Sequence, residues 1–367
     1  MAVKKVLISL GHPAHFHLFK NINANLNNLG IETEFIIREK DVLENLLKNE
    51  DLAYYNILPK EKGSGFLALT WSILLRDIRL FKFCLRSKPD LIVGSTVEIT
   101  HVGKLVNIPA ISVGEDDMDV VPLFSRLAAP FSDCLVFPSI CRMGKWTKKT
   151  LTYNSYQELA YLHPNHFRPD KKIVRKYFNP DYPYFILRLS ALSAHHDKGI
   201  KGLDEETTNK IISFLAPHGA IYLTSEKKLQ PEFERYRISI NPIDIHHVLA
   251  YSQLLICDSQ TMAAEAGVLG TPFIRMNDFV GKISYLNELE DIYQLGYGIA
   301  PSDKTRLFDV LSSVLLMKER KKIFEERRWR MLAEKIDTSK FLTWLIINYP
   351  ESKIQIKQKP ELSFQFK

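Results

Sequence analysis

The feature that most restricts this chain is an alternation. Short apolar runs rich in Val, Ile and Leu (KKVLISL at 4–10, IETEFIIR at 31–38, PDLIVGS at 89–95, PAISVGE at 109–115, DCLVFPS at 133–139) are separated by stretches with helical spacing, from Phe16 to Leu29, near 41–49 and over 66–87. Near-continuous apolar runs are the mark of strands covered on both faces, and helices between them imply a parallel sheet with right-handed crossovers. Pro164, Pro169, Pro180 and Pro183 then interrupt the pattern over 161–183. It restarts with YFILRLS at 184–190, AIYLTS at 220–225, LLICDS at 254–259 and TPFIRM at 271–276, with helices near 204–215, 244–251 and 261–268. This predicts two doubly wound α/β domains facing each other across a cleft, over 1–165 and 166–335, then a C-terminal helix and basic tail at 336–367. A chain of 367 residues is too long for one ordinary core and suits two. In such sheets ligands gather beyond the carboxyl ends of the strands, so the chemistry is expected in the loops that follow them.

Charge narrows the partners. The net charge is +7, and over 318–367 Lys and Arg outnumber Asp and Glu by 13 to 7, so much of the excess lies in the tail. No stripe of basic and aromatic residues marks a nucleic-acid partner, and none is expected. A small anionic ligand or an anionic membrane surface fits the modest bias better. Cys84, Cys134, Cys141 and Cys257 show neither a CxxC pair nor zinc-site spacing, which predicts buried free thiols in a reducing compartment. The apolar stretch before Gly11 is too short for a signal-peptide core, and no uncharged apolar run approaches the ~20 residues that span a bilayer. A cytoplasmic protein is the expectation.

The richest segment is AYSQLLICDSQTMAAEAGVLGTPFIRM at 250–276. A buried strand ends at Asp258-Ser259, and Ser259, Gln260 and Thr261 open a helix that carries Glu265. The unpaired amides of a helix N-terminus carry roughly half a positive charge and favour a phosphate. A hydroxyl of Ser259 or Thr261 adds a donor, and a carboxylate one turn on suits the two hydroxyls of a ribose. Ser259 as a plain helix cap is the competing reading, and the residues alone leave both open.

Other loops converge on the same chemistry. LGHPAHFHLFKNI places His12, His15 and His17 after the first strand. A histidine there titrates near neutrality and can serve as a general base, with packing or capping as the alternative for each ring. His15 is the residue expected to take the proton, with Asp116 to orient it. Glu98, and Glu115 with Asp117 beside Asp116, are the further carboxylates that follow strands. After the first strand of the second half, RLSALSAHHD at 188–197 offers Arg188 for charge-assisted bonds to phosphate and small residues, among them Ser193, for close backbone approach. Thr224 and Ser225 end the next strand and are expected near a base or ribose, as, more weakly, are His246 and His247.

The 250–276 segment resembles the donor-binding region of GT-B glycosyltransferases and of the non-hydrolysing UDP-GlcNAc 2-epimerases, through Asp258, Ser259, Thr261, Glu265 and Leu269-Gly270-Thr271-Pro272. From about residue 4 to 335 the chain is similar to the group called domain of unknown function 354, through Pro13-x-His15-x-His17, the Glu98 segment, Gly114-Glu115-Asp116-Asp117, ELAYLHPNHFRPD at 158–170 and RLSALSAHHD. The resemblance implies a GT-B fold and a nucleotide-sugar ligand, UDP-like, bound as substrate with neither a metal nor another cofactor. It makes a glycosyltransferase acting on a saccharide or lipid-linked acceptor, in surface polysaccharide or glycoconjugate synthesis, the first expectation. An epimerase is the second, weakened because those enzymes have Gly-Asp-Thr where this chain has Gly94-Ser95-Thr96, and Glu-Ala-Gly-Leu-Arg where it has Glu115-Asp116-Asp117-Met118-Asp119. A catalytically silent nucleotide-sugar-binding protein is the third.

The helix at 66–87 stands apart. Arg76, Arg79, Lys82 and Arg86 recur at three- and four-residue spacing among Phe, Leu, Ile and Trp71. Ordinary packing with a basic face in water is the favoured reading. Peripheral contact with an anionic membrane is the alternative.

Overall fold

The computed structural model describes residues 3–38, 42–58, 66–190, 201–225 and 229–367. Two compact units result, the first formed by residues 1–166 together with 335–367, the second by 167–334.

In the first unit β1 (Lys5–Leu10), β2 (Glu32–Arg38), β3 (Tyr54–Leu58), β4 (Leu91–Gly94), β5 (Ala110–Val113), β6 (Cys134–Pro138) and β7 (Thr150–Tyr153) form one parallel sheet in the order β3-β2-β1-β4-β5-β6-β7. The helices between them are α1 (Pro13–Asn28), α2 (Leu43–Asn49), α3 (Phe66–Ser87), α4 (Glu98–Val106) and α5 (Pro122–Leu127). The apolar runs are covered as their composition requires: Leu7, Ile36 and Ile92 pack with Leu80, Cys84, Ile99 and Val102 in one core cluster. All four cysteines are buried and unpaired, and burial pushes the Cys84 and Cys134 thiols up to about 12.

The second unit repeats the plan with five parallel strands, β8 (Tyr184–Leu189), β9 (Ala220–Ser225), β10 (Leu255–Cys257), β11 (Phe273–Met276) and β12 (Gly296–Ile299), in the order β12-β11-β10-β8-β9. Its helices are α6 (Lys171–Val174), α7 (Glu205–Leu215), α8 (Pro231–Glu234), α9 (Ile245–Tyr251), α10 (Gln260–Leu269), α11 (Ser284–Asn287), α12 (Lys304–Leu316) and α13 (Arg320–Glu334). Strand order reverses between β1 and β4 in the first unit and between β8 and β10 in the second, so each sheet has a switch point where loops diverge and leave a crevice.

The C-terminal segment adds α14 (Thr338–Ile347) and α15 (Glu351–Gln358) to the first unit. α14 lies on α1, with Asn25 Nδ2 donating to Thr343 Oγ1 at 3.2 Å, and Lys353 reaches the Asp133 carboxylate at 2.7 Å. What the sequence suggests is a basic tail is an integral layer of the first unit.

The basic face expected on α3 is divided. Arg76 is buried and ion-paired to Glu98 at 2.7 Å, and Arg79 donates to the Ile57 carbonyl at 2.8 Å. Lys82 and Arg86 remain exposed.

Candidate functional site

The second sheet builds its site at the switch point. Register sets Arg188 of β8 beside Cys257 of β10 on one side and Thr224 of β9 on the other. Past the end of β10, Asp258 is buried and its carboxylate accepts the Ser190 N–H at 2.7 Å. Ser259 then caps α10, its Oγ accepting the Met262 N–H at 3.3 Å. From Met262 to Leu269 every residue of α10 is buried, whereas Ser259, Gln260 and Thr261 are part-exposed. The first turn is therefore the accessible part of this helix, and its amides are the groups a bound anion would meet. At the other end Gly270 closes the helix in the left-handed region at φ 80°, where a Cβ would be strained.

Glu265 is neither solvated nor unpartnered: it is 6% exposed, and its Oε1 lies 2.9 Å from His246 Nε2 of α9. The ring fixes the carboxylate against the helix, which is how a short acid becomes a rigid acceptor. His247 is occupied elsewhere, its Nδ1 accepting the Asp170 N–H at 3.0 Å. Thr224 is buried with its hydroxyl unmatched among the described residues, while Ser225 Oγ donates to the Leu189 carbonyl at 3.2 Å. Ser193, with 191–197 of the RLSALSAHHD run, lies outside the described residues.

Beneath this edge runs a support that the sequence reading missed. Asn277 Nδ2 donates to the Asp258 carbonyl at 2.9 Å, Arg275 Nη1 donates to Asn277 Oδ1 at 3.0 Å, and Arg275 Nε donates to Glu290 Oε1 at 2.9 Å. Arg275 is fully buried, and burial raises the Glu290 carboxyl despite the guanidinium beside it. Glu290 sits in the π-helical turn Glu288–Ile292, a form often found next to sites. The signal was Arg275 itself, a charged residue inside the buried run FIRM, which must be paired to stay there.

The first unit gathers its candidates at the carboxyl edge of its sheet. A Cβ on Gly94 would come within 2.4 Å of the Ser9 carbonyl, so glycine lets β4 and β1 close up, and Ser9 Oγ meets Thr96 Oγ1 at 2.7 Å. His12 and His15 turn out to cap α1. His12 Nδ1 accepts the Ala14 N–H at 3.2 Å, and His15 Nδ1 accepts the Gly11 N–H at 3.1 Å. With Nδ1 used as an acceptor, the neutral His15 ring carries its proton on Nε2, which makes that nitrogen a donor. His17 is buried and stacked on Tyr161 with ring centroids 5.3 Å apart.

Of the carboxylates, Glu98 is buried and ion-paired with Arg76. Asp117 is fully buried and bonded to the Arg142 backbone and guanidinium. Glu115 and Asp116 are part-exposed in the loop after β5. Among the described residues no three His, Cys, Asp or Glu side chains are grouped to hold a metal ion.

Residues 4–286 match the family model described as Protein of unknown function (DUF354). The chain belongs to that family. No curated protein sequence matches it. Among solved structures this DUF354 member is similar to S. aureus MnaA in a co-structure with UDP, at 12% identity and a TM-score of 0.64, over 92% of this chain and 94% of that one. It is also similar to the Methanocaldococcus jannaschii UDP-GlcNAc 2-epimerase in complex with UDP-GlcNAc and UDP (16% identity, TM-score 0.61, 90% of this chain and 99% of that one). Acinetobacter baumannii MurG is a third likeness (13% identity, TM-score 0.55, 94% and 99%). At these identities the likeness is one of fold: DUF354 here has the GT-B architecture of two Rossmann-like domains.

Proposed function

We propose that this protein is a GT-B-type glycosyltransferase that moves a sugar from a nucleoside-diphosphate sugar, UDP-linked in the first instance, to a saccharide or lipid-linked acceptor in surface polysaccharide or glycoconjugate synthesis. One observation carries the reading: α10 is buried except for its first turn, so Ser259, Gln260 and Thr261 present amides and hydroxyls at the switch point, with Glu265 held rigid by His246 one turn on. A diphosphate meets the helix terminus and Arg188, and a ribose meets Glu265. The residues 166–335 take the donor role and 1–165 the acceptor role. There Asp116 is the base that removes the acceptor proton, and His15 donates a hydrogen bond through Nε2. Leaving-group charge is met by the helix terminus and Arg188, so turnover should persist in EDTA.

The second reading, a UDP-sugar 2-epimerase, is favoured by Glu115, which follows β5 part-exposed at the start of the segment where those enzymes carry Glu-Ala-Gly-Leu-Arg. Incubation with a panel of nucleotide sugars separates the two. Release of nucleoside diphosphate that depends on an added acceptor supports transfer, whereas an altered donor sugar without acceptor supports the epimerase. Ser259→Ala and Glu265→Gln should each weaken UDP binding several-fold in calorimetry while the fold survives, since loss of the Ser259 cap costs only ~1 kcal/mol and Glu265→Gln keeps an oxygen of the same reach for His246. Unchanged affinity in both would remove the donor site from α10.

A further inference from the structure

We propose that α3 seats the protein on an anionic membrane surface, lying along the bilayer with an apolar edge dipped among the lipids and a basic edge on their headgroups. This helix carries large apolar side chains on both of its sides. Its inward side packs Leu80, Phe83 and Cys84 into the core, alongside Arg76, 3% exposed and paired with Glu98 of α4, and Asp77, whose carboxylate meets His101 Nδ1 of α4 at 3.0 Å. Its outward side shows Trp71, Leu74, Ile78 and Leu85, exposed by 61%, 47%, 42% and 54%. Leu80, Phe83 and Cys84 already cover the sheet, so the outward apolar side chains serve no purpose in that packing, and large apolar side chains gain by leaving water.

The outward residues are ordered around the axis. At 3.6 residues per turn Leu74, Leu85, Ile78 and Trp71 fall within about 60° of one another, and the exposed Lys82 and Arg86 continue the same arc over the next ~60°. One flank is therefore oily and the other cationic along the same side of a 22-residue helix. That is the pattern of a helix lying in the interface: the apolar flank enters the acyl boundary while ammonium and guanidinium groups meet lipid phosphates. A tryptophan near one end suits the depth at which one part of the ring is dry and the other wet. No helix among the described residues is long and apolar enough to cross a membrane, so contact is along the surface. A second copy of the chain fits less well as the occupant, because a two-fold axis through the stripe would bring Lys82 and Arg86 towards their own equivalents, whereas anionic lipid supplies the opposite charge.

The full chain should co-sediment with phosphatidylcholine vesicles containing phosphatidylglycerol, at least tenfold better than with phosphatidylcholine alone, and release as salt is raised. Vesicles should shift Trp71 emission to the blue, a change that Trp71→Phe abolishes. Lys82→Glu with Arg86→Glu, and separately Trp71→Ser with Ile78→Ser, should each lower vesicle binding about tenfold or more. All four sites are exposed and lie outside the donor unit, so UDP affinity and the circular dichroism spectrum should not change. This test reads sedimentation and needs no turnover, so it stands or falls apart from the enzymatic reading. The proposal is overturned by absence of vesicle binding, by equal binding to uncharged vesicles, by binding that ignores both pairs of substitutions, or by a solution dimer that the Trp71 and Ile78 substitutions dissociate.

Discussion

Glu98 and His15 each take a role set by what stands beside them. Glu98 meets Arg76 with both side chains buried. Removing one partner of such a pair leaves an uncompensated charge in a dry site, a loss of about 3–5 kcal/mol, while replacing both by apolar groups is close to neutral. Glu98→Ala should thus lower the melting temperature of the first unit strongly, and Arg76→Met with Glu98→Leu should recover most of it. Turnover per folded molecule should change little. For His15 the geometry predicts a donor: His15→Ala should reduce turnover by roughly tenfold, in keeping with loss of one hydrogen bond, and Asp116→Asn by the ~10²–10⁴-fold expected for a lost base. Steady-state kinetics on both variants would show the reverse order if the ring accepts the proton after all.

At the scale of elements, α3 is fastened to its neighbours by His101, which bonds to Asp77 through Nδ1 and to the Leu127 carbonyl through Nε2. Two acceptors around one ring favour the imidazolium, and the Asp77 carboxylate raises its pKa above the usual value. A raised folded-state pKa means that the stabilisation is complete below about pH 6.5 and fades as pH rises through the higher folded value. Melting of the wild type should therefore drop between pH 6 and 9 by more than that of His101→Gln, and parallel curves would show that the ring stays neutral. The central strands and the long helices were legible because burial on both faces leaves an unbroken apolar signature. The strands not foreseen, β3, β7 and β12, all lie at sheet edges. Their runs YYNIL, TLTY and GYGI are broken by Asn, Thr and Gly, so they carry no such signature. The helix start at Ser259 was legible for a local reason, since a cap is a short-range motif. The partners of Glu98 and Glu265 were not, because Arg76 and His246 lie 22 and 19 residues away and only packing brings them in.

At the scale of the whole molecule, the first unit is built from the two ends of the sequence. Asp337 is buried at the return point, accepting from Asn165 at 3.0 Å and His166 at 2.9 Å, and Ser155 Oγ donates to the Ile336 carbonyl at 2.6 Å. Burial opposes the Asp337 charge, yet the bonds from His166 and Asn165 outweigh it and hold the carboxyl at about 2. A chain cut after Asp337 should lose α14 and α15 from the face of α1. The expected outcome is cooperative loss of the first unit's transition in calorimetry while the second unit's persists; retention of both would show that the return is dispensable. The same arrangement sets an order of birth. On the ribosome the first seven strands emerge early, but the segment that seals them follows only after residues 167–334 have been made, which at about 5–20 residues per second is a delay of ~10–30 s. The second unit can finish folding in that interval, and α1 must wait with its outer face uncovered, so the half of the protein made first is the half completed last.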